Sequence, residues 1–249
     1  MKILYSISIF IIFTNINVCC QEVSIDTLFI EGSKKHDGIF TDKLMYPIVR
    51  TSKGYLIDSL INYDIRDKLT YGNYTDVPLK ECLNLLVDDQ LIYLDFEVLY
   101  NKNGVLSLRI DGEGCGAYCT NFSRYCNYFI ETGKAIEIIN IVDTNSKFKD
   151  LVYADKNEQY NQQKIELKER LTEPVIGLDE VEYNSIIEYY DDCEQSFKIE
   201  DFLITENYLE IIEECSLPNV IKSMTPIIDL KYNYKDIEQY LIFDFLKSK

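Results

Sequence analysis

The chain has 249 residues, 47% of them apolar and 27% charged, with five prolines and ten glycines. That balance is ordinary for a folded globular protein and leaves no low-complexity linker. Forty-two acidic residues against 25 basic ones give a net charge of −17. Such a charge disfavours nucleic acid, which is bound through basic patches that displace counterions from phosphate. A cationic protein, or no charged partner at all, fits better, and the acids also suit a solvated surface.

The chain opens with Met1-Lys2, then the apolar run Ile3 to Phe13, then polar Thr14 and Asn15. A bilayer-spanning helix needs about 20 apolar residues, and this run is too short for one. It has the length of a signal-peptide core, and Val18 and Cys20 suit a small-residue cleavage site before Gln21. Residues 1–20 are therefore read as an export signal. The alternative is a lipid anchor through Cys19 or Cys20, although the residues before each fit a lipoprotein box poorly. No later stretch is long and apolar enough for a transmembrane anchor in the mature chain. The expected location is the periplasm or the exterior.

Further along, Ile57, Leu60, Ile61, Ile65 and Leu69 recur at helical spacing, which predicts a helix over 54–69. A second helix over 79–87 follows Pro78. From Leu94 the period changes to two, with Leu94, Phe96, Val98 and Tyr100 on one face. Asn101 to Gly104 turns the chain, and Leu106, Leu108 and Ile110 alternate with Ser107 and Arg109. This predicts a hairpin with one buried face. Residues 125–130 and 135–139 form a further strand pair around Thr132-Gly133-Lys134.

The third quarter reads as helical. Tyr160, Lys164, Leu167 and Leu171 share a face, Glu166 is spaced to pair with Arg170, and Pro174 ends the run. Tyr183, Ile186, Ile187 and Tyr190 mark another amphipathic helix. Strands are expected over 197–205, 208–213 and 227–232, with Ile237, Leu241 and Phe245 on a closing helix. Grouped strands with helices between them indicate an α+β fold of antiparallel hairpins packed with amphipathic helices. After the signal, the expected division is an N-terminal α+β half (21–112) and a C-terminal α+β half (113–249), packed as one unit.

Six of the eight cysteines lie beyond the signal: Cys82, Cys115, Cys119, Cys126, Cys193 and Cys215. An even count in an exported chain reads as up to three disulfides, with the pairing open. The rival reading is a metal site on Cys115, Cys119 and Cys126. Their spacing lacks the paired C-x2-C signature, and the single histidine, His36, is remote in sequence. No C-x-x-C redox motif occurs.

Several short motifs, taken in order, resemble a known extracellular module. They are Tyr46-Pro47, the helix carrying Asn62, the pair Val98-Leu99-Tyr100 and Leu106-Ser107-Leu108, then Gly116-Ala117-Tyr118, the aromatic Tyr128-Phe129, and Thr132-Gly133-Lys134. Closing segments begin at Phe197-Lys198-Ile199, Leu209-Glu210-Ile211 and Ile227. The module is shared by lysozyme-sensing anti-sigma factors of the RsiV type and the N-terminal region of PdaC-type peptidoglycan deacetylases. The resemblance runs from about Tyr46 to Leu241. Tyr118 departs from it, standing where that family has histidine. The resemblance implies a binding module of the bacterial envelope, with lysozyme, a very basic protein, as one ligand class. The membrane helix and sigma-binding segment of the anti-sigma factors, and the deacetylase catalytic domain, have no counterpart in this sequence.

Signs of catalysis are few. His36 sits in a polar stretch, and triad chemistry needs a base beside a nucleophile. Gly133-Lys134 is no phosphate-binding loop, since Tyr128 and Ala135 stand where glycine and Ser or Thr belong. Asp191, Asp192 and Glu194 cluster, as do Glu210, Glu213 and Glu214, but no pair stands out for glycan hydrolysis. No calcium-loop pattern appears. The 20 tyrosines suit a core with polar tips as well as a sugar- or peptide-binding groove. The sequence thus points to an exported, non-catalytic envelope protein that needs no cofactor and binds a protein or cell-wall glycan. A carboxylate-dependent enzyme acting on envelope glycans and a purely structural secreted protein are the alternatives.

Overall fold

The computed structural model describes residues 23–31, 44–145, 147–171 and 178–243. The expected export signal, Cys19, Cys20, Gln21, His36, Pro174 and Phe245 lie outside the described residues. Strands β1 (Val23–Ile30) and β2 (Leu44–Thr51) pair antiparallel, and helices α1 (Tyr55–Thr70) and α2 (Leu79–Asp88) follow. Next come β3 (Leu91–Lys102), β4 (Val105–Cys115), β5 (Cys119–Phe129) and β6 (Lys134–Ala135), an antiparallel sheet in that order. A 3-10 turn at Ile138–Asn140 leads to α3 (Lys147–Arg170) and α4 (Glu180–Ser196). Strands β7 (Phe202–Ile204), β8 (Tyr208–Ile211) and β9 (Leu230–Asn233) form an antiparallel sheet, followed by the short α5 (Tyr234–Ile237). The fold is α+β, and the 112/113 division falls inside β4.

Local chemistry explains most of these elements. Gly54 enters α1 at φ 100°, a conformation that favours glycine, and Ile61, Ile65 and Leu69 then bury one helical face. Leu60 departs from the expected stripe and is 48% exposed. Asn103 (φ 55°) and Gly104 (φ 78°) make the two-residue turn between β3 and β4, where both positions require positive φ.

The β3–β4 hairpin is not buried on one face only. Leu106, Leu108 and Ile110 pack with Tyr46, Ile61, Ile65 and Leu83 in a first core. On the opposite face Val105 joins a second core with Phe148, Phe202 and Ile211. Ser107, expected outside, is fully buried there because β7 crosses it, and its Oγ accepts the Ile204 N–H at 3.3 Å. The alternation in β3 also fails at Val98, which is exposed. The register slips between Val98 and Tyr100, and this bulge turns Tyr100 into the second core.

The strand expected over 135–139 shrinks to Lys134–Ala135, because the 3-10 turn carries Ile136 and Ile138 into the second core. The strand expected over 227–232 begins at Leu230. Before it, the peptide groups of Ile227 and Asp229 are occupied by glutamines of α3: Gln163 Oε1 accepts from Ile227 N–H at 2.8 Å, and Gln159 both accepts from and donates to Asp229. Only Phe202–Ile204 of the strand expected over 197–205 is paired. The Glu166–Arg170 pair is replaced: Glu166 accepts from Gln162, and Arg170 donates to the Met224 sulfur. Helix α4 starts on a capping box in which Asp179 accepts from Val181 and Glu182.

Candidate functional site

Four of the six candidate cysteines are joined. Cys115–Cys119 closes the β4–β5 hairpin, and Cys193–Cys215 ties α4 to the segment after β8. Cys82 and Cys126 depart from the disulfide expectation and are free, buried thiols. Burial disfavours the thiolate of both: it raises Cys82, against the pull of Arg66, and pushes Cys126, which packs in the first core, up to about 11. Glu113 lies beside Cys115 and Cys119 with its ligand atom and theirs within 4.8 Å. Joined as a disulfide, those sulfurs are not the thiolates that zinc requires. Two disulfides among the described residues indicate an oxidising compartment, and no described helix is long and apolar enough to cross a membrane.

The motif residues hold the fold and do not converge on one pocket. Tyr46 and Pro47 are buried in β2. Asn62 clamps α1 to that strand: its Oδ1 accepts the Val49 N–H and its Nδ2 donates to the Val49 carbonyl, both at 2.8 Å. Ser107 bonds the first sheet to β7, as above. Gly116, Ala117 and Tyr118 form the exposed tip of the β4–β5 hairpin. Thr132, Gly133 and Lys134 make the turn into β6, where Gly133 (φ 68°) approaches α1 so closely that an added Cβ would lie 3.2 Å from the Ile57 carbonyl oxygen.

The acidic clusters separate in space. Asp191 and Glu194 both bind Lys164, at 2.6 and 2.7 Å. Glu213 accepts the hydroxyl of the buried Tyr160, and burial raises its carboxyl above the usual range. Beside it Lys156, 2% exposed, donates to the Glu194 carbonyl, and burial lowers its ammonium. Glu210 faces Lys231 at 3.6 Å, and Asp192 is exposed. Lys164 thus neutralises Asp191 and Glu194, and Glu213 anchors the buried Tyr160, which packs with Leu167, Ile186, Tyr190 and Leu217 in a third core.

Glu214 also remains open, and the β7–β8 hairpin places it near Asp201. Asp201 precedes β7, its carbonyl accepts the Ile212 N–H at 2.9 Å, and Glu214 follows two residues later. Neither carboxylate has a hydrogen bond or ion pair among the described residues. Both side chains reach solvent along the mouth of a groove, but its walls strip part of their water. That desolvation raises Asp201, with Glu200 adding to it, and raises Glu214, with Asp201 adding to it; Lys68 and Arg124 pull Asp201 back in part, and Arg124 does the same to Glu214. Tyr125 is pushed up to about 12 by desolvation and by Glu214.

The groove consists of two hollows, of about 560 and about 350 Å³, that share Lys68, Tyr125 and Asp201 in their walls. Arg124 forms part of the smaller one; its guanidinium lies 4.2 Å from the Tyr71 ring centroid and donates to the Lys68 and Ser123 carbonyls. Lys68 is paired with Asp64 at 3.0 Å. Sequence reasoning reached Glu214 only as one acid in a cluster and missed Asp201, Lys68, Arg124 and Tyr125. Their meeting depends on where β6 ends and where the β7–β8 hairpin crosses the sheet, and neither leaves a local signature.

No family model matches the chain, and no curated protein sequence matches it. Two solved bacterial structures share its fold. One is a member of the DUF3298 family, a domain family of unknown function, from Bacteroides fragilis. It aligns with a TM-score of 0.53 and 11% identity over 88% of this chain and 93% of that one. The other, a DUF3298 family protein from Pseudomonas aeruginosa, gives 0.51 and 10% identity over 91% and 97%. At these identities the likeness is one of fold.

Proposed function

We propose that this chain is an exported envelope protein that binds a protein or cell-wall ligand without transforming it, and that the groove beside β5 receives the ligand. The carrying observation is the Asp201–Glu214 pair: two partly desolvated carboxylates with no ion pair among the described residues, whose charge Lys68 and Arg124 offset only in part. A cation supplied by a ligand would relieve both. The oxidised cysteines, the apolar leader and the net charge of −17 support an exported protein with a basic partner. The resemblance to lysozyme-sensing modules makes lysozyme the narrowest form of the reading. Lysozyme passed over the immobilised chain should be retained at low salt and released at moderate salt. Absence of salt-sensitive retention would sink that form, and equal retention by an Asp201→Asn/Glu214→Gln variant would move the site elsewhere.

The same pair favours one other reading, hydrolysis of an envelope glycan by two carboxylates. A raised carboxyl is the state a general acid needs. Release of reducing ends from peptidoglycan, abolished by Asp201→Asn, would support this reading, and no release by the wild type would remove it.

A further inference from the structure

The register of the four-stranded sheet leaves part of β5 without a neighbour. Residues Phe129 and Asn127 direct their backbone groups away from β4: the Phe129 carbonyl accepts from Gly133, and the Asn127 carbonyl accepts from Ile136, each at 2.8 Å. The chain then leaves the sheet through the 3-10 turn. Backbone groups alternate in direction along a strand. Tyr125 and Ser123 therefore face the same side, where no described strand runs. The Ser123 carbonyl is occupied by Arg124 at 2.7 Å. Among the described residues, the Ser123 N–H and both backbone groups of Tyr125 have no such partner.

This open edge lies inside the groove. The smaller hollow is lined from one face of the sheet by Lys68, Tyr71 and Arg124, and from the other by Tyr125, Asp201 and Glu214. A hollow walled by side chains from both faces of a strand wraps around that strand's edge. Asn127 adds an independent sign: it is 4% exposed and lines the larger hollow, its Nδ2 donates to the Phe202 carbonyl at 2.8 Å, and its Oδ1 has no hydrogen-bond partner among the described residues. Buried acceptors are rarely left unpaired.

We infer that the β5 edge accepts an extended segment of a partner protein as an added strand, with basic side chains of that segment meeting Asp201 and Glu214. This deepens the groove reading above and rests on it. In strand addition, backbone hydrogen bonds give affinity and flanking side chains give specificity. Here the flanking charge is negative. Asp67, Glu137, Glu200, Asp201 and Glu214 line the two hollows against Lys68 and Arg124, and Lys68 is also paired with Asp64. A second copy of this chain, paired edge to edge, would set Asp201 and Glu214 against their own like charges, so a basic partner is the occupant.

The test is a peptide of alternating lysine and valine, titrated onto the full chain at low salt beside the same peptide methylated on alternate backbone nitrogens. The unmethylated peptide should bind, slow amide exchange at Tyr125 and Ser123, and lose affinity in the Asp201→Asn/Glu214→Gln variant. The methylated peptide should bind about tenfold more weakly, as expected for lost backbone donors. Absence of binding, or equal binding of the two peptides with unchanged exchange at Tyr125 and Ser123, overturns strand addition. If lysozyme retention depends on Asp201 and Glu214 while those amides exchange unchanged, the groove stands and strand addition falls. If neither lysozyme nor peptide responds to loss of the two acids, the groove reading falls with it.

Discussion

Replacing Asn62 with alanine removes three hydrogen bonds from the junction of α1 and β2. The amide oxygen accepts the Val49 N–H at 2.8 Å, and the amide nitrogen donates to the carbonyls of Val49 and Asp58, each at 2.8 Å. Val49 is 0% exposed, so water cannot easily replace the lost partner. A buried polar group left unsatisfied costs about 1–3 kcal/mol. Two orphaned groups on Val49 place the loss at about 3 kcal/mol, and the Asp58 carbonyl, inside a helix, adds little. For a chain of this size that corresponds to a drop in Tm of roughly 6–12 °C. Urea unfolding followed by circular dichroism measures it, with the m-value unchanged. A loss below about 1 kcal/mol would refute the clamp, because it would mean that these groups find other partners. Asn62→Asp keeps the acceptor but sets a carboxylate against two carbonyls, and it should be no more stable than alanine at neutral pH.

Opening Cys193–Cys215, a loop of 22 residues in sequence, should cost about 3 kcal/mol by the loop-entropy estimate; urea unfolding of a Cys193→Ser/Cys215→Ser variant checks this. Cys82 and Cys126 should stay silent to a thiol reagent in the native chain and react once urea unfolds it, and fast native labelling would contradict their burial. Gly112→Ala sets a Cβ 2.2 Å from the Phe122 ring, which should cost about 1–3 kcal/mol as overpacking and move the ring from its place beside Arg124. The groove raises Asp201 and Glu214, so the folded chain keeps protons that the unfolded chain has already released. Their contribution to stability therefore falls as pH rises through that interval. Relative to wild type, Asp201→Asn/Glu214→Gln should gain stability at about pH 7 and lose that gain near pH 3, where both carboxyls are protonated in either state. An equal difference at both pH values would contradict the desolvation.

The local elements were readable because their causes are local. Gly54, Asn103 and Gly104 supply positive φ where a helix starts or a strand turns, and the spacing of Ile61, Ile65 and Leu69 is that of one helical face. The sequence misled where a distant element decided the outcome. Ser107 reads as an outward position until β7 lies across it, and Val98 reads as buried until a bulge turns the strand. Gln159 and Gln163 look like solvated helix positions, yet they occupy backbone groups that a strand would otherwise have used. The cysteine count was right for two bridges, whereas Cys82 and Cys126 behave as small apolar core residues. The groove was the least legible part: it exists because β6 stops after two residues and the β7–β8 hairpin carries Asp201 and Glu214 across the open edge.

Hydrogen exchange over the whole chain, with and without lysozyme at low salt, tests the groove most directly. The groove predicts slower exchange concentrated in the segments carrying Asp201 and Glu214, and strand addition predicts it at Ser123 and Tyr125 in β5 as well. Protection centred elsewhere, or none at all, would contradict the groove.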